Sequence, residues 1–394
     1  MRLKIWLAVV LCLGACAVSR AEPILDADAQ KRIDTAVEGA IGRHVAPSMC
    51  VVIGTADKAL FAKAYGRLTY DPNSPEAALD TIYDMASVSK AVGTTSAALL
   101  LVQDGKLSLD DKVSKYIPAW DRDDKRDIQI RQLMCHVSGM PSYTNASLAE
   151  AERKEGESKA DALTKLIASL PLKYKTGEDY VYACLNFLTL ARVNETILGK
   201  TQDAFLQERL FKPLGMVNTG YYLNPEQKSH AAPTTPKLQG SVHDPLAAYY
   251  VDENHCPGNA GLFSTANDLT AFCRMILSNG TWNGQQIFKP ETIDQMATNQ
   301  VPLRVRELHG TGWGRSLSYP FATKLNRGFA KACMSHSGYT GTYVHFDRLA
   351  GTFVIVLTNR VYPDDGASDY RLRKEILGIV LEADPIYKDV LETN

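Results

Sequence analysis

The chain has no C-x-x-C pair, no two histidines four residues apart, no G-x-S-x-G pentapeptide, no cluster of basic residues and no internal repeat. Each absence removes a class of function. Without paired cysteines or i, i+4 histidines, the local spacings of structural and helical zinc sites are missing. Without G-x-S-x-G there is no nucleophile elbow of the α/β-hydrolase kind. The 43 basic and 44 acidic residues leave a net charge of −1 over 394 residues, so a nucleic acid is not expected as a partner. Long apolar runs are scarce: one extends from Ile5 to about Val18, and none after it is long enough to span a bilayer.

What remains is an ordinary globular composition, 45% hydrophobic and 22% charged, enough for one large domain or two interleaved ones. The opening MRLKIWLAVVLCLGACAVSRAEP has a basic head, an apolar stretch and small residues at Ser19 and Ala21, the pattern of an export signal over residues 1–21. The same stretch holds L-G-A-C at 13–16, which resembles a lipoprotein box with Cys16 as the lipidated residue. The protein is therefore expected outside the cytoplasm, periplasmic, secreted or lipid-anchored in the envelope, with the Cys16 anchor as its membrane contact. Cysteines 50, 135, 184, 256, 273 and 333 give no disulfide pairing by their spacing. The V-H-D triplet at 242–244 and His255 read as loop histidines with protein partners rather than metal ligands.

Residues 49–66, MCVVIGTADKALFAKAYG, form two apolar runs around a polar turn and predict a β-hairpin. Residues 109–296 are dominated by helix-like runs broken by Pro and Gly, such as DALTKLIASL and NDLTAFCRMIL. Strand character returns at 341–360, GTYVHFDRLAGTFVIVLTNR, and RLRKEILGIVLEA predicts a closing helix. The expected fold class is α+β: an antiparallel sheet formed from both chain ends (22–108 and 297–394) and flanked by helices, with the mostly helical 109–296 inserted in one domain spanning 22–394.

Within YDMASVSKAVGTTSAALLLVQDGKL, residues 83–107, Ser87 precedes Lys90 by three positions at the head of an Ala- and Leu-rich run that predicts a helix from Ser87 to Gln103, closed by Gly105. Residues three apart share a helix face, so the amine reaches the hydroxyl. Serine becomes a useful nucleophile only when a neighbouring base takes its proton. By itself S-x-x-K occurs by chance about once in a chain of this size. Two further segments carry chemistry. Tyr182, in KTGEDYVYACLNFLTLARVNE, stands just before a helical run, where a phenol beside an ammonium relays protons. His336, Ser337 and Gly338, in HSGYTGTYVHF, open a strand where substrate backbone lies close and strand N–H groups face an oxyanion.

In this order the three segments resemble the serine β-lactamase and penicillin-binding-protein superfamily, in the class C β-lactamase-like branch that includes family VIII esterases and D-amino-acid peptidases. Stretches such as LSLDDKVSKYIPAW, IQIRQLMCHVSGMPSY, LFKPLGMVNTGYY and AGLFSTANDLTAFCRMILSNG carry the likeness over nearly the whole mature chain. The resemblance implies a sheet flanked by helices plus a helical subdomain, with the site in the cleft between them. It implies Ser87 as the acylated nucleophile, Lys90 as its base, Tyr182 as the proton relay, the backbone N–H groups of Ser87 and Tyr339 as the oxyanion hole, and His336, Ser337 and Gly338 against the substrate.

No cofactor or metal is implied, because Ser, Lys and Tyr suffice. Two positions depart from the family pattern. Tyr182 is followed by Ala183 and Cys184, where Ser and Asn or Asp are common, and His336 stands where many β-lactamases carry lysine. A histidine is only partly cationic near neutral pH and grips a substrate carboxylate less firmly than lysine. The expected function is an exported serine hydrolase of a small-molecule or peptide substrate, such as an ester, a D-amino-acid peptide, a β-lactam or a peptidoglycan fragment. The competing reading is a penicillin-binding or sensor-type protein that acylates without efficient turnover.

Overall fold

The computed structural model describes residues 25–302, 304–305, 333–365, 371–384 and 387. The expected export signal over residues 1–21, with Cys16, lies outside them. The described strands are β1 (Ser48–Thr55), β2 (Ala59–Gly66), β3 (Tyr83–Asp84), β4 (Phe263–Ser264), β5 (Thr281–Trp282), β6 (Gln285–Gln286), β7 (Cys333–Ser337), β8 (Tyr343–Asp347) and β9 (Thr352–Thr358). Five of them form one antiparallel sheet in the order β2-β1-β9-β8-β7, so the first hairpin of the chain is zipped directly onto the last. Both expected hairpins are present. The register shifts between Ile53 and Gly54, and glycine is required there because a Cβ would lie 2.7 Å from the Phe353 ring.

β1 and β9 are buried along their whole length, which explains their unbroken apolar sequences. Met49, Val51 and Ile53 point to one face, Cys50 and Val52 to the other. The first face is covered by the Ala27–Gly42 and Arg371–Ala383 helices. In the former, Ile33, Ala36, Val37 and Ala40 repeat at helical spacing, and the Asp26 side chain caps the start by accepting from Ala29 N–H. The second face merges with the large core of the helical region. The Ala266–Leu277 helix, expected from NDLTAFCRMIL, packs on it. The Lys159–Ser169 and Cys184–Leu198 helices lie farther out in that core. No helix among the described residues is long and apolar enough to cross a membrane.

The run after Ser87 differs from an even helix. Its first regular turn starts at Val88, Lys90–Thr95 is a wider π-type segment, and Ser96–Gln103 is α-helical. Ser87 therefore sits in the turn before the helix rather than inside it. A π segment inside a helix marks a local packing demand. Here a Cβ at Gly93 would lie 2.2 Å from the Tyr221 hydroxyl, so the helix is held close to its neighbour.

Candidate active site

The turn that presents Ser87 is built by strong local constraints. Ala86 has φ +44°, a left-handed conformation that costs a non-glycine residue energy unless its surroundings hold it. Asp84, just upstream on β3, accepts the Ala86 N–H at 2.8 Å and the His243 N–H at 2.8 Å. Burial pushes the Asp84 carboxyl up to about 6, against the pull of those two N–H groups. From the other side, the β7–β8 turn clamps the same backbone: Thr340 Oγ1 donates to Asp84 O at 2.7 Å and Thr342 Oγ1 to Met85 O at 2.9 Å. Gly338 makes this approach possible, because a Cβ there would lie 2.5 Å from Met85 O.

Lys90 is fully buried and spends its ammonium protons on three acceptors: Ser87 Oγ at 2.9 Å, Asn259 O at 2.8 Å and Cys184 Sγ at 3.5 Å. Its Nζ lies 4.9 Å from the centre of the Tyr182 ring. Burial alone would lower Lys90, but Cys184 and Tyr182, with Asp244 behind them, outweigh it and leave the group above the ordinary lysine value. Tyr182 is also raised, chiefly by burial, which the Lys90 ammonium only partly opposes. Ammonium and phenol therefore coexist at neutral pH. The pair must lose one proton before it can accept one from Ser87.

Tyr182 lies just ahead of the Cys184–Leu198 helix, and His136 holds that approach in place. His136 Nδ1 accepts the Ala183 N–H at 3.0 Å, its carbonyl accepts the Val181 N–H at 3.1 Å, and its ring lies 4.5 Å from that of Tyr182. His336 on β7 is buried, with its ring 6.2 Å from Tyr182 and its Nδ1 3.0 Å from the Ser337 carbonyl. Tyr339 is exposed at the rim, stacked on His243 at 5.9 Å and covered by the Arg360 guanidinium at 4.7 Å. Among the described residues, neither the Ser87 nor the Tyr339 backbone N–H donates to a protein acceptor. The structure thus brings Ser87, Lys90, Tyr182 and His336 together and sets Gly338, which follows Ser337, against the turn before Ser87, while the Tyr339 side chain turns to the rim.

Asn259 was not found from sequence. Its loop is fixed from several sides: Glu195 accepts the Cys256 N–H at 2.7 Å, Gln202 Nε2 donates to Pro257 O at 3.1 Å, and Thr94 Oγ1 to Gly258 O at 2.9 Å. Gly258 is obligatory, since a Cβ there would lie 2.0 Å from Phe187 O. The glycines on either side of Asn259-Ala260 were the available signal, but a carbonyl acceptor has no residue-type signature.

The histidines of the 242–255 stretch have protein partners: His255 pairs with Asp252 at 2.8 Å and His243 stacks on Tyr339. One group among the described residues has potential metal-ligand atoms within 4.8 Å of one another, namely Cys333, His345 and Asp347. Asp347 already accepts from the Leu349 and Ala350 N–H groups and from the Tyr387 hydroxyl, which fits a turn cap. No disulfide joins the six described cysteines, and only Cys184 among them is not buried.

The beta-lactamase family model matches residues 33–378. The chain belongs to the beta-lactamase family. An N-acetylmuramyl-L-alanine amidase of Bacillus subtilis is 29% identical over 308 residues, covering 71% of this chain and 68% of the relative. A putative D-alanyl-D-alanine carboxypeptidase of Escherichia coli is 26% identical over 350 residues, covering 80% and 78%. EstCE1, a hydrolase with promiscuous acyltransferase activity, shares the fold with a TM-score of 0.72 at 20% identity, over 90% of this chain and 98% of that one. A D-alanine carboxypeptidase of Burkholderia cenocepacia superposes with a TM-score of 0.68 at 17% identity, over 90% and 99%. This beta-lactamase-family protein is an enzyme, a β-lactamase-like serine hydrolase with the expected α+β fold.

Proposed function

We propose that this enzyme hydrolyses an ester or a D-amino-acid peptide through an acyl-Ser87 intermediate, and that it does so outside the cytoplasm. The 2.9 Å contact between Lys90 Nζ and Ser87 Oγ carries the reading, because it places a buried amine on the hydroxyl of a partly exposed serine. When the Lys90–Tyr182 pair has lost a proton, it takes the hydroxyl proton of Ser87 as Oγ attacks the substrate carbonyl. The N–H groups of Ser87 and Tyr339 receive the developing oxyanion. Tyr182 returns the proton to the leaving group, and water, activated by the same pair, releases the acyl group. Cys184 and His336 stand where an amide or carboxylate and a fixed cation are common, which weakens the grip on a substrate carboxylate and favours esters. The cell-wall activities in the relatives' names support a D-amino-acid or peptidoglycan-derived substrate, and the signal-like N-terminus supports export.

The test is turnover of a short-chain p-nitrophenyl ester, a D-alanyl-D-alanine peptide and a chromogenic cephalosporin, with intact mass followed for the protein and its Ser87→Ala variant. Turnover that falls at least about 1000-fold in the variant is expected. A Ser87-dependent adduct that persists without turnover points instead to the sensor. Absence of both turnover and adduct overturns the reading.

A further inference from the structure

We infer that Asp244 is a positioning residue for Lys90: it fixes the Asn259 carbonyl to which the lysine donates, and places a carboxylate behind the ammonium. The inference rests on the reading of Lys90 as the base at Ser87. Asp244 Oδ1 accepts from Asn259 Nδ2 at 2.9 Å and from the Ala247 N–H at 2.8 Å, capping the Pro245–Tyr250 helix. Its Oδ2 accepts from the Tyr143 hydroxyl at 3.1 Å. Asn259 in turn presents its carbonyl to Lys90 Nζ at 2.8 Å. The path from Asp244 to the proposed base is therefore one side chain and one backbone unit long.

The same short segment also supports the nucleophile. The N–H of His243 is held by Asp84, which holds the N–H of Ala86 in the strained turn before Ser87. His243-Asp244 is thus a strut with one end on the nucleophile turn and the other on the lysine. In the sequence the V-H-D triplet suggested only a loop. In the structure it sets the separation of Ser87 from the groups that deprotonate it.

Asp244 also acts through charge. It contributes to the raised proton affinity of Lys90, together with Cys184 and Tyr182. Asp84 and Tyr143 face Asp244, and His136 and His336 stand against Tyr182. All of these remain when Asp244 becomes Asn, so a change in the titration of the Lys90–Tyr182 pair reports the lost charge.

The experiment compares pH profiles of kcat/KM for p-nitrophenyl ester hydrolysis in the full mature chain and in Asp244→Asn, Asp244→Ala and Asn259→Ala, with Ser87→Ala in parallel. Asp244→Asn keeps an oxygen for Asn259 and Ala247, removes the charge, and turns the Tyr143 contact from accepting into donating. The rise of its kcat/KM with pH is expected about half a unit or more to the acid side, with KM within about twofold. Asn259→Ala keeps the charge and its own backbone carbonyl but loses the tether, so kcat falls about 10- to 100-fold with the profile in place. Asp244→Ala combines both effects. An unmoved Asp244→Asn profile overturns the inference, as does an Asp244→Ala enzyme whose kcat per acylatable Ser87 matches the parent. If Ser87→Ala still turns over ester, the reading of Ser87 fails first, and that result is distinct from an unmoved profile in an enzyme that depends on Ser87.

Discussion

Lys125 and Lys90 are both fully buried, yet their surroundings prepare them for different tasks. Lys125 Nζ donates to the carboxylate of its neighbour Asp124 at 2.8 Å and to the Leu170 carbonyl at 2.5 Å, tying a loop to the end of the Lys159–Ser169 helix. A desolvated ammonium is costly unless an opposite charge accompanies it, and Lys125 has one in direct contact. Lys90 touches a hydroxyl, a thiol and a backbone carbonyl, while its nearest supporting carboxylate, Asp244, is one residue removed. Burial thus does not mark function. The partners do: Lys125 is closed into a link between a carboxylate and a carbonyl, whereas Lys90 stands on a serine hydroxyl with which a proton can be exchanged.

The comparison can be broken most sharply by removing each lysine in turn. Lys90→Met is expected to lower kcat by about 1000-fold or more while the protein stays folded, measured by ester turnover beside circular dichroism. Tyr182→Phe removes only the relay hydroxyl and should cost about 100-fold in kcat, with a smaller change in KM. The pH dependence follows from the same pair. Lys90 and Tyr182 both lie above their ordinary values, so the active form is the one lacking a proton. From neutral pH into the alkaline range, kcat/KM should then climb by about tenfold per unit until the pair releases that proton. A profile that falls with rising pH over this range contradicts the proton-excess state. The smallest catalytic effect belongs to Lys125→Met. Its kcat should stay within about twofold, while urea unfolding shows a loss of about 1–3 kcal/mol from the broken link between Asp124 and Leu170.

Much of the frame was legible because it depends on local pattern. The runs at 49–66 and 341–360 read as hairpins and are hairpins, and RLRKEILGIVLEA is a helix at Arg371–Ala383. The strand pairing that joins the two chain ends was inferable only as a class of fold, since nothing in β1 names β9 as its neighbour. The start of the Ser87 run was read one residue too early. The left-handed Ala86 that delays the helix is imposed by Asp84 and the β7–β8 turn, which are tertiary contacts. At the site, Ser87 and Lys90 were legible as a spacing and Tyr182 as a helix-entry residue. Asp84, Asp244, Asn259 and His136 were not, because each acts through a backbone group or through another side chain and so leaves no short motif.

The sequence by itself determined that a serine and a lysine three residues apart would meet, because a single tight turn of backbone, here the one leading into the helix, brings such residues together. It also determined the two strand hairpins and the small residues that let them pack. Only the tertiary structure decided what the lysine would do with its proton. Asn259 lies 169 positions from Lys90 along the chain, and its carbonyl reaches the ammonium through the folding of a glycine-flanked loop over a helix. Proton affinity in a buried site depends on which dipoles and charges surround it, and that arrangement exists only when the chain is folded.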